Sequence, residues 1–573
     1  MLRHVTTSLA ALALAGCATY PAQQDSAPVA ANALPTEGAV SAADPRAQAA
    51  GEEMLAAGGT ATDAAIAVML ALTVVEPQSS GIGGGGFYVR GTADGQVETI
   101  DGREKAPSAA TPNWFLDADG KVPPYMDSVR SGLSVGVPGN IALAAKAHAR
   151  HGSLPWATVF GPAIRLARDG FEMNPRLNRM LTSSRDRAAY SEAAQALYFT
   201  PDGEARPVGS VIRNEQLART FEAIAARGPE AFYSGHIARE IAETVAADTP
   251  RPEGMTEADV GAYRAIERDA VCGTYRRYRI CTMGPPTSGG IAVLQILGQL
   301  ERFDLAALGV ENPVTWHLFV ESQRLAYADR ELYLADSDFV PVPVAGLVDP
   351  PYLAKRSALI STDRTMRSVE AGTPAGASTA LADGDEPEEH GTSHFAAVDR
   401  HGTMVSYTST IEGAFGSGLM AGGFFLNNEL TDFSRAPQVD GRMVANRVEG
   451  NKRPRSSMAP TIVWNPSGQP ILAVGAAGGT TIPVSTTRAI IGVIDFGLDA
   501  EGALTLPFLM AFGDNVLLEQ GTWLESSAAR FRALGHENLL FREAPIKAGA
   551  VLLRDGAWQA ARDPRLGNSV TAP

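Results

Sequence analysis

The sequence predicts a mixed fold of α-helices and β-strands. Apolar residues recur at helical spacing through the middle of the 573-residue chain, at about 140–370, and the segment after Thr392 alternates as β-strands do. Hydrophobic residues make up 45% of the chain and charged residues 19%, so most of the chain can fold and pack. We expect more than one core, because a domain usually spans about 100–200 residues.

Charge and cysteine content exclude several classes of protein. The chain has 48 Lys and Arg against 63 Asp and Glu, a formal charge of -15, which argues against a nucleic-acid partner. Its three cysteines, Cys17, Cys272 and Cys281, are too few for a disulfide scaffold or a multi-cysteine metal site. The nine histidines are scattered, and we interpret neither His390 nor His394 as a metal ligand. No metal or cofactor is expected.

The first 40 residues are predicted to lie outside the folded body. Residues 1–16 combine Arg3 with a short apolar core and end in small residues before Cys17, which resembles a bacterial lipoprotein signal whose cysteine is acylated. An ordinary secretory signal with a chance cysteine is the alternative. Residues 17–40 have the Ala-, Pro- and Gln-rich composition of a flexible tether. We expect a periplasmic protein, lipid-anchored to the outer membrane, without a transmembrane helix.

The beginning of the folded body is predicted to contain two helices and a hairpin. A helical pattern starts at Asp44 and ends at Gly58–Gly59, and Thr62 or Asp63 can cap the apolar run that follows. Residues 81–86 satisfy the dinucleotide-binding pattern G-x-G-x-x-G. That fingerprint needs a strand before it and a helix after it, whereas here a helix precedes and a hairpin follows. We therefore do not interpret the glycines as a cofactor site.

A second hairpin is predicted at VCGTYRRYRICTM, with its turn near Arg276–Arg277. Cys272 and Cys281 lie symmetrically about this turn and can face each other across the strands. An exported protein can form a disulfide there, but two free buried cysteines fit the sequence equally well, because geometry decides.

The sequence around Thr392 brings two hydroxyl groups together. The acidic run at 381–391 is typical of a solvated loop, and strongly β segments follow it. Asp399–Gly402 suits a type I turn that ends in a left-handed glycine. In a hairpin centred on His401, Thr392 and Thr410 are opposed, with Cβ atoms about 5 Å apart. Threonine is also common in strands for structural reasons alone.

A series of motifs follows in order along the chain: DAAIAV near 63, PQSSGIGGGGF at 77–87, DGREKAP at 101–107, PPTSGGIAVLQIL at 285–297, AYADRELYLAD at 326–336, GTSHFAAVD, FGSGLMAGGFFLNNELTDFS, KRPRSSMAPTIV and GAAGGTTIP. With them the chain resembles the γ-glutamyltranspeptidase family of N-terminal-nucleophile hydrolases, from about Asp44 to Asp563–Arg565. The resemblance implies an α+β fold, a four-layer αββα sandwich formed jointly by two chains cut from one precursor.

The resemblance implies self-cleavage between Gly391 and Thr392. It would yield a large subunit, 41–391, and a small subunit, 392–573, folded as one unit. Cleavage frees the α-amine of Thr392, whose unperturbed pKa of about 7.7–8.0 suits a general base near neutral pH. One residue then supplies both nucleophile and base.

The resemblance also implies the helpers of that nucleophile. Thr410 matches the threonine that orients it. Gly478 and Gly479 match the glycines whose N–H groups form the oxyanion hole, where the lack of a Cβ allows close approach.

Substrate-binding residues are implied in the same way. Arg103 matches the arginine that binds the α-carboxylate of a γ-glutamyl group, together with the serine pair Ser456 and Ser457. Glu429 and Asp432 match the two positions that hold its α-ammonium.

Two departures from the family pattern bear on specificity. Glu412 stands where the family often has an asparagine that contacts substrate. The stretch between Phe433 and Ser456 is short and lacks the tyrosine that many relatives place in a lid. We predict a more open active site, which favours hydrolysis over transfer.

The function implied by the resemblance is a γ-glutamyl hydrolase/transferase. Its donors would be glutathione and γ-glutamyl amides, with water or amino acids and peptides as acceptors. One alternative is a glutaryl- or cephalosporin-acylase-type amidohydrolase of the same family, whose substrate lacks the α-ammonium. Another is a catalytically silent, surface-tethered binding protein that kept the fold.

Overall fold

The computed structural model describes residue 1 and residues 34–378, 381, 382, 384, 391–544 and 547–569. The described residues from Leu34 onward form one compact unit. The predicted signal, Cys17 and most of the tether lie outside the described residues, so their roles stay predictions. Among the helices that are described, none has the length and apolar character needed to span a bilayer.

Two six-stranded antiparallel sheets form the centre of the molecule. The first has the order Ala39–Ser41, Ser393–Val398, Met404–Thr410, Gly85–Gly91, Val97–Gly102, Ile266–Arg268. The second has the order Ala557–Arg562, Lys547–Arg554, Pro470–Ala477, Thr461–Trp464, Tyr278–Thr282, Val271–Tyr275. Segments from both sides of position 391 contribute to both sheets.

The smaller strands lie outside these sheets. They are Phe171–Glu172 with Val211–Ile212, Met420–Ala421 with Phe424–Phe425, Gln438–Val439 with Arg442–Met443, and the set Leu509–Phe512, Asn515–Glu519 and Asn538–Arg542.

Helices cover the outer faces of both sheets. Ala61–Val75 packs on the first sheet, and Gly289–Leu300 and Ile482–Ile494 pack on the second. The remaining α-helices are Pro45–Ala56, Tyr125–Val129, Asn140–His151, Trp156–Val159, Gly161–Asp169, Pro175–Ser183, Arg185–Ala188, Glu192–Tyr198, Glu215–Arg227, Glu230–Tyr233, His236–Ala247, Glu257–Gly261, Leu305–Leu308, Pro313–Tyr333, Val344–Leu347, Pro350–Ser357, Ala500–Thr505, Trp523–Ser526 and Ala528–Ala533. Short 3₁₀ turns span Gly132–Ser134, Glu429–Asp432, Gly479–Thr481 and Pro564–Ser569.

The strand Ser393–Val398 shows how the layers arise from the sequence. Phe395 and Ala397 belong to the core under the N-terminal helices, whereas Ala396 and Val398 belong to the core shared with the second sheet. Successive side chains of a strand point to opposite faces, so a strand buried on both sides reads as a continuous apolar run. The predicted four-layer αββα arrangement is confirmed.

Most local predictions hold, and one helix cap is corrected. Asp44 caps the first helix, accepting a bond from the Arg46 N–H. The second helix is capped by Thr60 rather than by Thr62 or Asp63, and Asp63 is its partner in a capping box. Thr60 has an extended backbone, and its side chain accepts the Asp63 N–H, as an N-cap residue does.

Both predicted hairpins are present. Gly85–Gly91 pairs with Val97–Gly102, so a strand and not a helix follows the glycine string. In the second hairpin Arg276 and Arg277 take φ values of 50° and 68°, as a tight hairpin turn requires. Cys272 and Cys281 are opposed across the strands and joined in a disulfide, which decides between the alternatives left open by the sequence.

Candidate active site

Thr392 and Thr410 face each other at one end of the first sheet. The hairpin register places Ser393 opposite Ser409, and Thr392 Oγ1 donates to Thr410 Oγ1 at 3.1 Å. The predicted turn is confirmed, since Gly402 N donates to Asp399 O at 2.9 Å and Gly402 has φ +74°. The predicted pairing of the two hydroxyls is therefore what the structure shows.

The main chain at Gly391–Thr392 is strained. Thr392 has φ +84°, a left-handed conformation that is an outlier for a β-branched residue and costs of the order of 1–3 kcal/mol. Its N–H donates to Ser79 O at 2.9 Å. On the other side, a Cβ on Gly391 would overlap the carbonyl oxygen of Glu412. Only glycine fits at this position, and the bond to Thr392 is held in a fixed, unfavourable geometry.

Glu412 adjoins this bond and is anchored on both sides. Its N–H donates to Thr410 Oγ1 at 2.7 Å, so one hydroxyl contacts both Thr392 and the Glu412 main chain. Its carboxylate accepts a close bond from Asn428 Nδ2, and Asn428 Oδ1 accepts from Gly413 N at 3.0 Å. Sequence reasoning missed Asn428, although it directly precedes the predicted Glu429.

Gly478 and Gly479 form a left-handed turn at the end of the strand Pro470–Ala477. Their φ values are +119° and +56°, and Tyr327 Oη donates to the carbonyl of Thr480 in the same turn. Ala477, just before the turn, pairs with Lys547, whose ammonium contacts Thr392 O. The pairing of Ala477 with Lys547 and the contact of Lys547 with Thr392 place the two glycines at the same end of the sheets as Thr392.

Arg103, Glu429 and Asp432 form one buried cluster. The two ends of the Arg103 guanidinium donate close, charge-assisted bonds to the Glu429 and Asp432 carboxylates. Arg103 also donates to Pro454 O at 3.1 Å and to Arg455 O at 2.9 Å. The structure brings together the residues predicted to bind the two ends of a γ-glutamyl group.

Glu104 is a further acidic member of this cluster, which the sequence analysis did not single out. It is fully buried, with one carboxylate oxygen 3.9 Å from Arg103 Nη1. Burial raises the pKa of Glu104 to about 7 against the opposing effect of Arg103. Burial likewise raises the pKa of Asp432 well above its usual range, with Arg103 opposing and Glu429 adding to the rise. One guanidinium therefore lies among three buried carboxyl groups.

The predicted serine pair follows Arg455 directly. Ser457 Oγ accepts from Arg330 Nη2 at 2.8 Å, and Ser456 Oγ accepts from Met458 N at 3.1 Å. Because Arg103 donates to the Arg455 carbonyl, both serines border the Arg103 cluster.

Two of the predicted substrate-binding carboxyl groups are buried in the uncut chain. Glu429 and Asp432 are each 1% exposed. The segment after Asp432 folds back, because Asn446 Nδ2 donates to Asp432 O at 2.6 Å, and Ala382 N donates to Met443 O at 3.0 Å. The more open active site was predicted for the mature enzyme and stays a prediction.

A lysine that the sequence did not single out also contacts the site. Lys547 Nζ donates to Thr392 O at 2.7 Å and to Ser79 Oγ at 2.7 Å. It lies 3.7 Å from Glu76, whose carboxylate also pairs closely with Arg176. Burial lowers the pKa of Lys547 to about 7. No spacing signal could reveal a contact across 155 residues of sequence.

One buried group of described residues has metal-ligating side chains, namely His317, Glu321 and His536. Its polar atoms are already engaged. The two imidazoles share a hydrogen bond of 2.7 Å, and Glu321 accepts from Arg324 at 3.0 Å and from Thr365 at 2.7 Å. These contacts explain the cluster without a ligand.

Two stacked antiparallel sheets between helical layers, with a hydroxyl residue at the start of a central strand, define the class of N-terminal-nucleophile hydrolases. A sequence model of the family described as gamma-glutamyltranspeptidase matches residues 47–572. The chain belongs to this family, which makes it an enzyme of the N-terminal-nucleophile class.

Known relatives support both the family and the fold. The chain is 36% identical over 526 residues to a glutathione hydrolase proenzyme of Bacillus subtilis, covering 90% of this chain and 87% of the relative. It is 35% identical over 500 residues to an Acylase ACY 1 proenzyme of a Pseudomonas strain, covering 86% of each. A solved cephalosporin acylase from Bacillus halodurans superposes with a TM-score of 0.80 at 26% identity, covering 95% of both chains.

Proposed function

We propose that the chain is the precursor of a γ-glutamyl hydrolase/transferase that cleaves itself between Gly391 and Thr392. The observation that carries the proposal is the contact between Thr392 and Thr410 hydroxyls directly after the strained glycine junction. Relatives called glutathione hydrolase proenzymes support the same assignment.

The groups that react in self-cleavage are the Gly391–Thr392 peptide bond, the Thr392 hydroxyl and a water molecule. Thr392 Oγ1 attacks the Gly391 carbonyl carbon and loses its proton, and the amide nitrogen leaves with a proton as the C–N bond breaks. Water then hydrolyses the resulting ester, which gives a Gly391 carboxylate, a free hydroxyl and a free α-amine on Thr392. The left-handed φ of Thr392 supports this step, since cleavage relieves the strain.

Turnover repeats the chemistry on an external amide. The α-amine accepts the Thr392 hydroxyl proton, the oxygen attacks the γ-carbonyl of the donor, and the leaving amine takes the proton. N–H groups of Gly478 and Gly479 would stabilise the oxyanion, a contribution of about 2.7–4 kcal/mol for one such donor. Water, or the amine of an amino acid or peptide, then releases the γ-glutamyl group from the ester.

The Arg103 cluster supplies a recognition site for a zwitterion. In the uncut chain the guanidinium is neutralised by Glu429 and Asp432. A γ-glutamyl group brings one carboxylate for Arg103 and one ammonium for the two acids, so each buried charge exchanges an internal partner for a substrate partner. Ser456 and Ser457 would add hydrogen bonds to the carboxylate.

A second candidate is an amide acylase, favoured by the relatives called Acylase ACY 1 and cephalosporin acylase. A glutaryl substrate has no α-ammonium, so it would leave Glu429 and Asp432 without a cationic partner. Comparing turnover of γ-glutamyl and glutaryl p-nitroanilides separates the two functions. Preference for the glutaryl compound would reverse our assignment.

Export and lipid anchoring at Cys17 belong to the same proposal and rest on the sequence of residues 1–40. The mature protein would then face the periplasm from the outer membrane. Intact mass of the purified protein reports removal of residues 1–16, acylation of Cys17 and cleavage after Gly391 together.

A denaturing gel tests the central claim. The wild type should give two chains that meet at Gly391–Thr392, and Thr392→Ala should give one. Thr403→Ala, in the turn of the same hairpin, is the matched control and should be cut normally. A wild type that stays intact would support the silent, surface-tethered alternative, and a Thr392→Ala chain that is still cut would disprove the proposed nucleophile.

A further inference from the structure

Lys547, Ser79 and Thr392 form a closed set of hydrogen bonds. Thr392 N donates to Ser79 O at 2.9 Å, while Lys547 Nζ donates to Thr392 O and Ser79 Oγ, each at 2.7 Å. Ser79 and Lys547 therefore bind the main-chain N–H and carbonyl of Thr392. Thr410 contacts the Thr392 hydroxyl.

The lysine reaches this place from the second sheet. It is the first residue of the strand Lys547–Arg554 and pairs with Ala477, directly before the Gly478 turn. Its side chain is 12% exposed. A side chain from one sheet therefore fixes the first residue of a small subunit whose leading strand lies in the other sheet.

Burial and the charge of Arg176 lower the pKa of Lys547, and the carboxylate of Glu76 opposes them. Glu76 lies 3.7 Å from Nζ and attracts it, whereas Arg176, which pairs with Glu76, repels it. His394, in the strand packed against Lys547–Arg554, has its pKa lowered to about 3 by burial and adds no charge at neutral pH. Glu412, at the far side of Thr392, is engaged by Asn428.

We propose that Lys547 is a positioning residue for Thr392, and that its positive charge disfavours protonation of the α-amine that cleavage exposes. This inference rests on the proposed function. Cleavage would give Thr392 an amine next to the carbonyl that Lys547 Nζ contacts at 2.7 Å, and the two amines would titrate as a coupled pair. When Lys547 holds its proton, its positive charge disfavours a second proton on the α-amine, which is then neutral and able to accept the hydroxyl proton.

Three variants separate the two parts of this role. Lys547→Arg keeps the charge, Lys547→Gln keeps a hydrogen-bond donor without charge, and Lys547→Met removes both. Lys355→Met, at an exposed helical position, is the matched control. For each we would measure the cut fraction on a denaturing gel and then kcat and KM for a γ-glutamyl p-nitroanilide from pH 5 to 9.

The expected results differ between variants. Lys547→Gln and Lys547→Met should move the acidic limb of the kcat/KM profile upward by about one pH unit, because the amine then holds its proton more tightly. Lys547→Met should also lower kcat about tenfold with little change in KM, since a charged hydrogen bond to Thr392 O is lost. Lys547→Arg and Lys355→Met should keep the wild-type profile.

Several outcomes would overturn the inference. An unchanged acidic limb in Lys547→Gln and Lys547→Met disproves the effect of charge, and an unchanged kcat in Lys547→Met disproves positioning. A folded Lys547→Gln chain that stays uncut also contradicts the inference. The glutamine amide can still donate a hydrogen bond, and we expect that bond to be enough to position Thr392. If the wild type itself is uncut or inactive, the proposed function fails instead, which distinguishes the two failures.

Discussion

Thr392 Oγ1 lies 3.1 Å from Thr410 Oγ1, and this contact joins the first residue of the proposed small subunit to the end of the neighbouring strand. The same Thr410 oxygen accepts the Glu412 N–H at 2.7 Å. One hydroxyl group thus fixes the proposed nucleophile relative to the main chain that crowds Gly391. The register of a single hairpin therefore places the proposed nucleophile.

Thr410→Val tests this contact, since valine keeps the shape and removes the hydroxyl. We expect kcat to fall about 10–100-fold with a small change in KM, because a hydrogen bond to the reacting oxygen is lost. Thr403→Val, in the turn of the same hairpin, is the control and should have wild-type kcat. Wild-type kcat in Thr410→Val would show that the contact does not orient the nucleophile.

Gly391→Ala should slow self-cleavage at least about tenfold. Its Cβ would overlap the Glu412 carbonyl oxygen, and such overpacking typically costs 1–3 kcal/mol and shifts the backbone. The measurement is the time course of cleavage on a denaturing gel. Gly254→Ala is the control, because a Cβ there meets its nearest atom at 3.5 Å. Normal cleavage of Gly391→Ala would mean that the junction relaxes freely.

Glu104 should make stability depend on pH. Burial raises its pKa to about 7 in the folded chain, whereas an unfolded glutamate has a pKa of about 4.3. The folded state therefore binds the proton more tightly. This contribution to stability is complete below the unfolded pKa and is lost as the pH rises through about 7.

Glu104→Gln removes that titration. We expect the unfolding free energy of the wild type to fall between about pH 5 and 8. The fall in Glu104→Gln should be smaller by about 3 kcal/mol. Denaturant unfolding at several pH values measures the difference. Glu53→Gln, an exposed partner of Arg165, should keep the wild-type pH dependence. The same slope in Glu104→Gln would contradict the raised pKa.

Removing the Cys272–Cys281 disulfide should lower stability and leave catalysis intact. The bond closes a short hairpin loop, for which chain entropy predicts about 2–3 kcal/mol of stabilisation. The hairpin strand Val271–Tyr275 lies at the edge of the second sheet, away from Lys547 in the strand order. A Cys272→Ala/Cys281→Ala double variant should therefore unfold at lower denaturant concentration with unchanged kcat/KM.

A reducing agent provides the control for that experiment. It should destabilise the wild type and have no effect on the double variant. Loss of kcat/KM in the double variant would show that the edge hairpin supports the active site.

Short-range sequence patterns predicted the hairpins well. The Asp399–Gly402 turn and the alternation of the flanking strands placed Thr392 opposite Thr410, as the structure has it. The same reasoning placed Cys272 opposite Cys281 but could not tell whether they were bonded. The helix cap at Thr60 was missed by two residues, because several hydroxyl and carboxyl side chains compete at a helix start.

The sequence by itself determined the family, whose resemblance implied the two-sheet fold, and the register that pairs Thr392 with Thr410. Tertiary structure alone decided that Glu104 is buried, that Arg103 is neutralised by acids more than 300 residues away, and that Lys547 contacts Thr392. Periodicity and turn chemistry depend on residues that are close in the chain, so they can be predicted from the sequence. Contacts between the two sheets depend on how complete layers pack. The spacing of residues within one segment does not encode that packing.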